Sequence, residues 1–175
     1  YEAIYGGNKV INQTIGTGNA RDPYIFKGQD GYFYCIATDA DCSSSWWGNS
    51  QTMILWRSTD LINWKDGTII NMQEKIGKDT WRCWAPEVFW NGSEYVVYFA
   101  LAAADYTDNS TGDNTHMYYC TTTDLLDQNA YSTPKLLIKN ANKDNIDGDI
   151  AVYNGKYYLF YKDETNATIC VIRSD

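Results

Sequence analysis

Positive charge is scarce in this sequence: 14 Lys and Arg stand against 22 Asp and Glu, a formal net charge of −8 over 175 residues. Phosphate backbones and anionic lipid surfaces reward clustered Lys and Arg, so the shortage argues against nucleic acid or a membrane surface as partner. No run approaches the roughly 20 consecutive apolar residues that cross a bilayer. No basic stretch followed by an apolar one heads the chain, so any export signal is expected to have been removed or to lie outside the segment. Helical periodicity is nearly absent. Histidine occurs once, as His116 at the head of a strand-like run, where a packing or surface role is expected rather than metal ligation. The five cysteines, at 35, 42, 83, 120 and 170, include no CxxC pair, and an odd number cannot close into a complete set of intrachain disulfides. Cys35, Cys120 and Cys170 lie in apolar strand-like runs and read as small hydrophobes; Cys42 and Cys83 lie in loop-like surroundings and could pair.

What remains is aromatic, apolar and repetitive. An apolar content of 44% over this length suffices for one sizeable core and is too little for two ordinary domains. The segments DPYIFKGQDGYFYCIATD, APEVFWNGSEYVVYFALA and DGDIAVYNGKYYLFYKDE begin at Asp22, Ala85 and Asp147, 63 and 62 residues apart. Each reads as an apolar strand, a turn (Gly28 to Gly31, Asn91-Gly92, Asn154-Gly155) and an aromatic strand. Asn-Gly is a strong hairpin signal because both residues tolerate the positive φ of a type I′ turn. A third strand follows in each copy, from Thr52, His116 and Ala167, and in the first two copies a fourth, from Gly67 and Pro134.

Four antiparallel strands per repeat at this period predict an all-β β-propeller. The expected blades cover residues 20–75, 82–140 and 146–175 of a single partial propeller domain, about two and three-quarter blades, the last incomplete. Rings close with about 4 to 8 blades. Remaining blades are therefore expected from the same protein or another chain. Asp60, in the turn STDLINW, is expected to bond backbone amides while Trp64 packs beneath it.

The first strand of each blade lines a propeller's central channel, so Asp22 and Asp147, equivalent in the repeat, are expected to converge on the axis. Distant carboxylates facing one pocket can divide acid and base work between them. Asp22-Pro23 also reads as a strand-entry turn, and Asp147 as a turn cap within DNIDGD. That string lacks a properly spaced bidentate Glu and so makes a poor EF-hand. Ala85 fills the equivalent position in the second copy, between Trp84 and Glu87; Glu87 lies two positions deeper and reads as a supporting residue, not a proton donor.

Asn19-Ala20-Arg21-Asp22-Pro23, Trp84-Ala85-Pro86-Glu87 and Ile146-Asp147-Gly148 leading into Asn154-Gly155-Lys156-Tyr157-Tyr158 together resemble the first three blades of glycoside hydrolase family 43. The resemblance spans Asn19 to Asp175 and departs from the family at Gly148, where Pro or another residue is frequent. It implies a five-bladed propeller and an inverting hydrolase, with Asp22 as general base and Asp147 raising the pKa of the acid and orienting it. The family's general acid, a Glu opening the fourth blade, has no counterpart here, so it is expected outside this segment. Inverting hydrolysis asks independently for two carboxyl groups roughly 6.5 to 9.5 Å apart with water between them.

Seven Trp and fifteen Tyr suit a sugar site, since flat rings cover the C–H faces of a pyranose or furanose. Most are expected in the core, with Tyr32, Phe33, Tyr34, Tyr95, Tyr98, Tyr157, Tyr158 and Phe160 packing between blades. The resemblance makes Trp84 the leading substrate contact; Trp46 and Trp47, in the polar loop DCSSSWWGNSQ, are further candidates. The expected function is hydrolysis of arabinose- or xylose-containing plant polysaccharides or oligosaccharides, as in xylan degradation, by a secreted α-L-arabinofuranosidase or related glycosidase. The alternatives are a non-catalytic carbohydrate-binding propeller or an inactive fragment, while a WD-type interaction propeller lacks its Trp-Asp and Gly-His marks. No cofactor is expected to be required; calcium on the propeller axis is compatible with the resemblance, with ligands mostly in other blades.

Overall fold

The computed structural model describes residues 2–43, 49–103, 115–138 and 144–174. Eleven strands form three antiparallel meanders among the described residues. The first contains β1 (Ala20–Lys27), β2 (Phe33–Asp41), β3 (Asn49–Ser58) and β4 (Trp64–Asn71); the second β5 (Thr80–Trp90), β6 (Tyr95–Ala103), β7 (His116–Thr122) and β8 (Lys135–Leu136). The third holds β9 (Asn145–Tyr153), β10 (Lys156–Asp163) and β11 (Thr168–Ser174). Each sheet keeps its strands in chain order, the topology of a propeller blade. A short helix, α1 (Met72–Ile76), which the strand pattern did not foreshadow, joins the first two blades. Asn71 caps it through its side chain and Gly77 ends it in the left-handed region.

The turns explain themselves locally. Asn154 and Gly155 both have positive φ, 49° and 72°, as a type I′ hairpin requires. At Asn91-Gly92 only the glycine does, and the Asn91 side chain instead accepts the Ser93 and Glu94 amides at 2.9 and 3.0 Å. The fourth strand of the first blade starts at Trp64, three residues before Gly67, and that of the second is only Lys135–Leu136.

Period-two alternation in the central strands builds two inter-blade cores. Tyr34 and Ile36 of β2 meet Val97, Phe99 and Leu101 of β6 between the first and second blades. Tyr98 and Ala100, on the opposite face of β6, pack with Leu159, Ile146 and Tyr161 between the second and third. Cys35 and Ala37, on the other face of β2, are covered with Trp56 by Ile11 and Ile15 of the N-terminal segment, which Asp39 ties down by accepting from the Thr17 amide at 2.8 Å. Phe160 faces away from the second blade and is 43% exposed, beside Ile169 and Val171 on the same open face. No cysteine pair is bridged among the described residues, which include all five; Cys83 is buried and Cys42 exposed.

Candidate active site

A bulge interrupts the first strand of every blade at the repeat-equivalent position. Pairing with the second strand skips between Arg21 and Tyr24, between Trp84 and Glu87, and between Ile146 and Asp149. The bulged residues Asp22, Ala85 and Asp147 have φ of 51°, 46° and 53°, a left-handed conformation uncommon for side chains other than Asn, Asp and Gly. Pro23 and Pro86 follow in the first two blades, where the ladder is already broken and no N–H is demanded. Gly148 follows in the third: a Cβ there would collide with the terminal methyl of Met117 from the second blade.

These bulges bring the two distant aspartates to one place. Asp22 and Asp147 both line an open cavity of about 360 Å³ at the inner edge of the blades, with Tyr24, the Ala85-Pro86 backbone and Glu87. Such a volume lies at the small end of ligand clefts. Asp22 Oδ2 accepts a hydrogen bond from Thr38 Oγ1 at 3.1 Å, and Thr38 Oγ1 in turn accepts from the Ala85 amide at 2.9 Å. Partial desolvation, then the charge of Asp22, pushes the Asp147 carboxyl above its ordinary range; Lys162 acts the other way and Glu164 adds to the rise.

Glu87 sits where expected, deeper along β5, and it is held. Tyr98 Oη donates to Glu87 Oε2 at 2.6 Å and accepts from the Ile150 amide of the third blade at 3.2 Å. Burial raises the Glu87 carboxyl, the Tyr98 bond opposes that rise, and nearby Asp149 and Asp147 reinforce it. Thus Tyr98, which the strand pattern assigns only to packing, also joins Glu87 to the third blade.

Trp84 lies apart from this cavity. It is half-buried in a neighbouring one between the second and third blades, with Arg82 over its ring at 4.8 Å and Asp144, Ile146 and Glu164 around it. Ile146 is Asp147's chain neighbour, so the two hollows adjoin. Trp46 and Trp47 lie outside the described residues. Asp60 is structural, its Oδ1 accepting from the Ile62 and Asn63 amides at 2.9 and 2.7 Å; His116 is buried at the start of β7. Among the described residues no three His, Cys, Asp or Glu side chains are grouped to hold a metal ion.

Thr38, Lys162 and Asp149 escaped the sequence reading, which gave Tyr98 packing alone. A signal for Thr38 existed: it shares the β2 face of Tyr34 and Ile36, which points at the second blade.

Known proteins bear this architecture. A thermostable family-43 glycoside hydrolase superposes with a TM-score of 0.66 at 18% identity, over 94% of this chain and 51% of its own. The α-L-arabinofuranosidase from Lactobacillus brevis gives 0.64 at 20% identity, over 88% and 49%, and that from Podospora anserina, in complex with cellotriose, 0.64 at 14%, over 94% and 48%. At these identities the likeness is one of fold, and the chain spans about half the length of the structures it matches. No curated protein matches it by sequence. The family model described as "Probable glycosyl hydrolase domain", of the family-43-related type, matches residues 1–175, and the chain belongs to that glycoside hydrolase family.

Proposed function

We propose that this chain supplies the base side of an inverting glycosidase acting on arabinose- or xylose-containing plant glycans, with α-L-arabinofuranosidase activity first among the candidates. The observation that carries the proposal is the shared cavity of Asp22 and Asp147, two carboxylates from different blades presented by the same left-handed bulge. Asp22 takes the proton of the attacking water as the water's oxygen forms its bond to the anomeric carbon. Asp147 contributes negative charge that keeps a neighbouring acid protonated. The glycosidic oxygen leaves with a proton from a general acid, which this reading places in a further blade rather than at Glu87, already engaged by Tyr98 and Asp149. The arabinofuranosidases among the structural relatives support the choice of sugar. Plant polysaccharide as substrate and secretion as location belong to the same proposal.

Activated aryl glycosides test it, because a dinitrophenyl leaving group departs without protonation and reads the base alone. Dinitrophenyl arabinofuranoside or xyloside turnover is expected to fall at least about a hundredfold in Asp22→Asn. Equal turnover of parent and variant removes Asp22 from the chemistry. Oligosaccharide binding without turnover in both replaces the hydrolase by a carbohydrate-binding propeller.

A further inference from the structure

We propose that Thr38 is the positioning residue of Asp22, clamping its carboxylate toward the propeller axis through a hydroxyl anchored on the next blade. The inference rests on the base role proposed for Asp22 and deepens it.

A threonine hydroxyl has one proton and two lone pairs. Thr38 Oγ1 uses a lone pair on the Ala85 amide, 2.9 Å away, so its proton remains to be given, and Asp22 Oδ2 lies 3.1 Å from it. The direction of the relay is therefore fixed: amide to hydroxyl, hydroxyl to carboxylate. Thr38 is itself 1% exposed, and its β-branched side chain is stiff at χ1. Asp22, by contrast, stands exposed on an open cavity wall, where an unrestrained carboxylate would sample several rotamers.

The repeat supplies an internal comparison. Thr38, Ala100 and Lys162 occupy one position, each paired across the sheet with the residue that precedes the bulge, namely Arg21, Trp84 and Ile146. Its chemistry follows the bulge residue. Threonine accompanies Asp22, alanine accompanies Ala85, and the lysine whose charge acts on Asp147 accompanies that aspartate. The blade without a bulge carboxylate has no polar side chain there, so a hydroxyl at 38 serves the carboxylate. Because the Ala85 amide belongs to the second blade, the clamp also ties the orientation of Asp22 to the docking of that blade.

Thr38→Val keeps the shape and removes the relay; Thr38→Ser keeps the hydroxyl. The three-bond Hα–Hβ couplings of Asp22, read by NMR on the whole chain, are expected to report one rotamer in the parent and in Thr38→Ser, and averaged values in Thr38→Val. On dinitrophenyl glycosides kcat is expected to fall about tenfold in Thr38→Val with KM within about twofold, and Thr38→Ser to recover most of the loss. A single Asp22 rotamer in folded Thr38→Val overturns the proposal even where Asp22→Asn is inactive, leaving the base role standing. Should Asp22→Asn be as active as the parent, the base role falls and Thr38's part in catalysis falls with it, while the couplings still decide whether Thr38 holds Asp22. If Thr38→Val does not fold, Thr38→Ser decides: averaged couplings or a kcat about tenfold below the parent's there overturn the clamp as well.

Discussion

Asp147 lines the same cavity as Asp22 and feels its charge, although 125 positions of chain separate them. Convergence of this kind places like charges together, and it carries a stability cost that can be measured.

The Asp147 carboxyl is held above the ordinary carboxylate value, so the folded protein binds more protons than the unfolded one over the window that starts near about 3.9 and ends at the raised value. Stability is then present below that window and lost as pH rises through it. Glu87 has the same sign. Asp147→Asn removes the charge, and Asn tolerates the left-handed backbone at this site. The variant is expected to melt higher than the parent at pH 7, with the gain shrinking toward pH 4, while losing glycosidase turnover. Melting curves at the two pH values check it; a lower melting temperature for the variant at pH 7 contradicts a net cost of the charged Asp147 carboxylate from desolvation and from Asp22.

Asp60 supplies the opposite slope. Its carboxylate accepts backbone amides from Asn63 and Ile62 and lies well below the ordinary range. A lowered carboxyl contributes stability above the unfolded-state value and loses it as pH falls toward the folded one. Asp60→Ala is thus expected to be destabilised relative to the parent at pH 7 and to approach it under strong acid. A parent–variant gap that stays constant from pH 7 to pH 2 removes the carboxylate charge from the turn's stability.

Much of this was legible in the sequence, for particular reasons. The period of 63 and 62 residues marked the blades because each copy spends its glycines and aromatics at the same offsets. The bulge aspartates were legible through the same alignment, Ala85 included. Trp84 was harder: adjacency in sequence to a channel position does not fix side-chain direction, and its ring turned to the seam where Arg82 lies over it. The relays through Thr38 and Tyr98 join residues 47 and 52 positions apart; the β2 face of Thr38 signals the side it points to, but nothing local names the partner amide.

Tyr98 offers a direct test of the seam between the second and third blades. The side chain is 2% exposed, and its hydroxyl both supports Glu87 and satisfies the Ile150 amide. Tyr98→Phe leaves both without that partner at almost unchanged volume. A loss of about 1–3 kcal/mol in urea unfolding is expected. The Glu87 carboxyl is expected to rise further, since the Tyr98 bond works against its elevation. Carboxyl NMR of Glu87 in the variant reads the second effect, and a downward move contradicts the assignment.

Gly148 is the place where the third blade departs from the Pro of the first two, and the terminal methyl of Met117 lies where a Cβ would stand. The methionine terminus fills the space that a Cβ at 148 would take, with a Leu159 methyl at 3.1 Å on another side. Gly148→Ala therefore overpacks the second inter-blade core and is expected to cost about 1–3 kcal/mol. Met117→Ala alone opens a cavity and is expected to cost about 2–5 kcal/mol. Combined, the two changes relieve each other, because the added methyl enters the space the methionine vacates. The double variant is expected to fall short of the sum of the single losses by about 1 kcal/mol or more. Strict additivity in urea unfolding would show that Met117 moves aside without cost and that the glycine answers to something else.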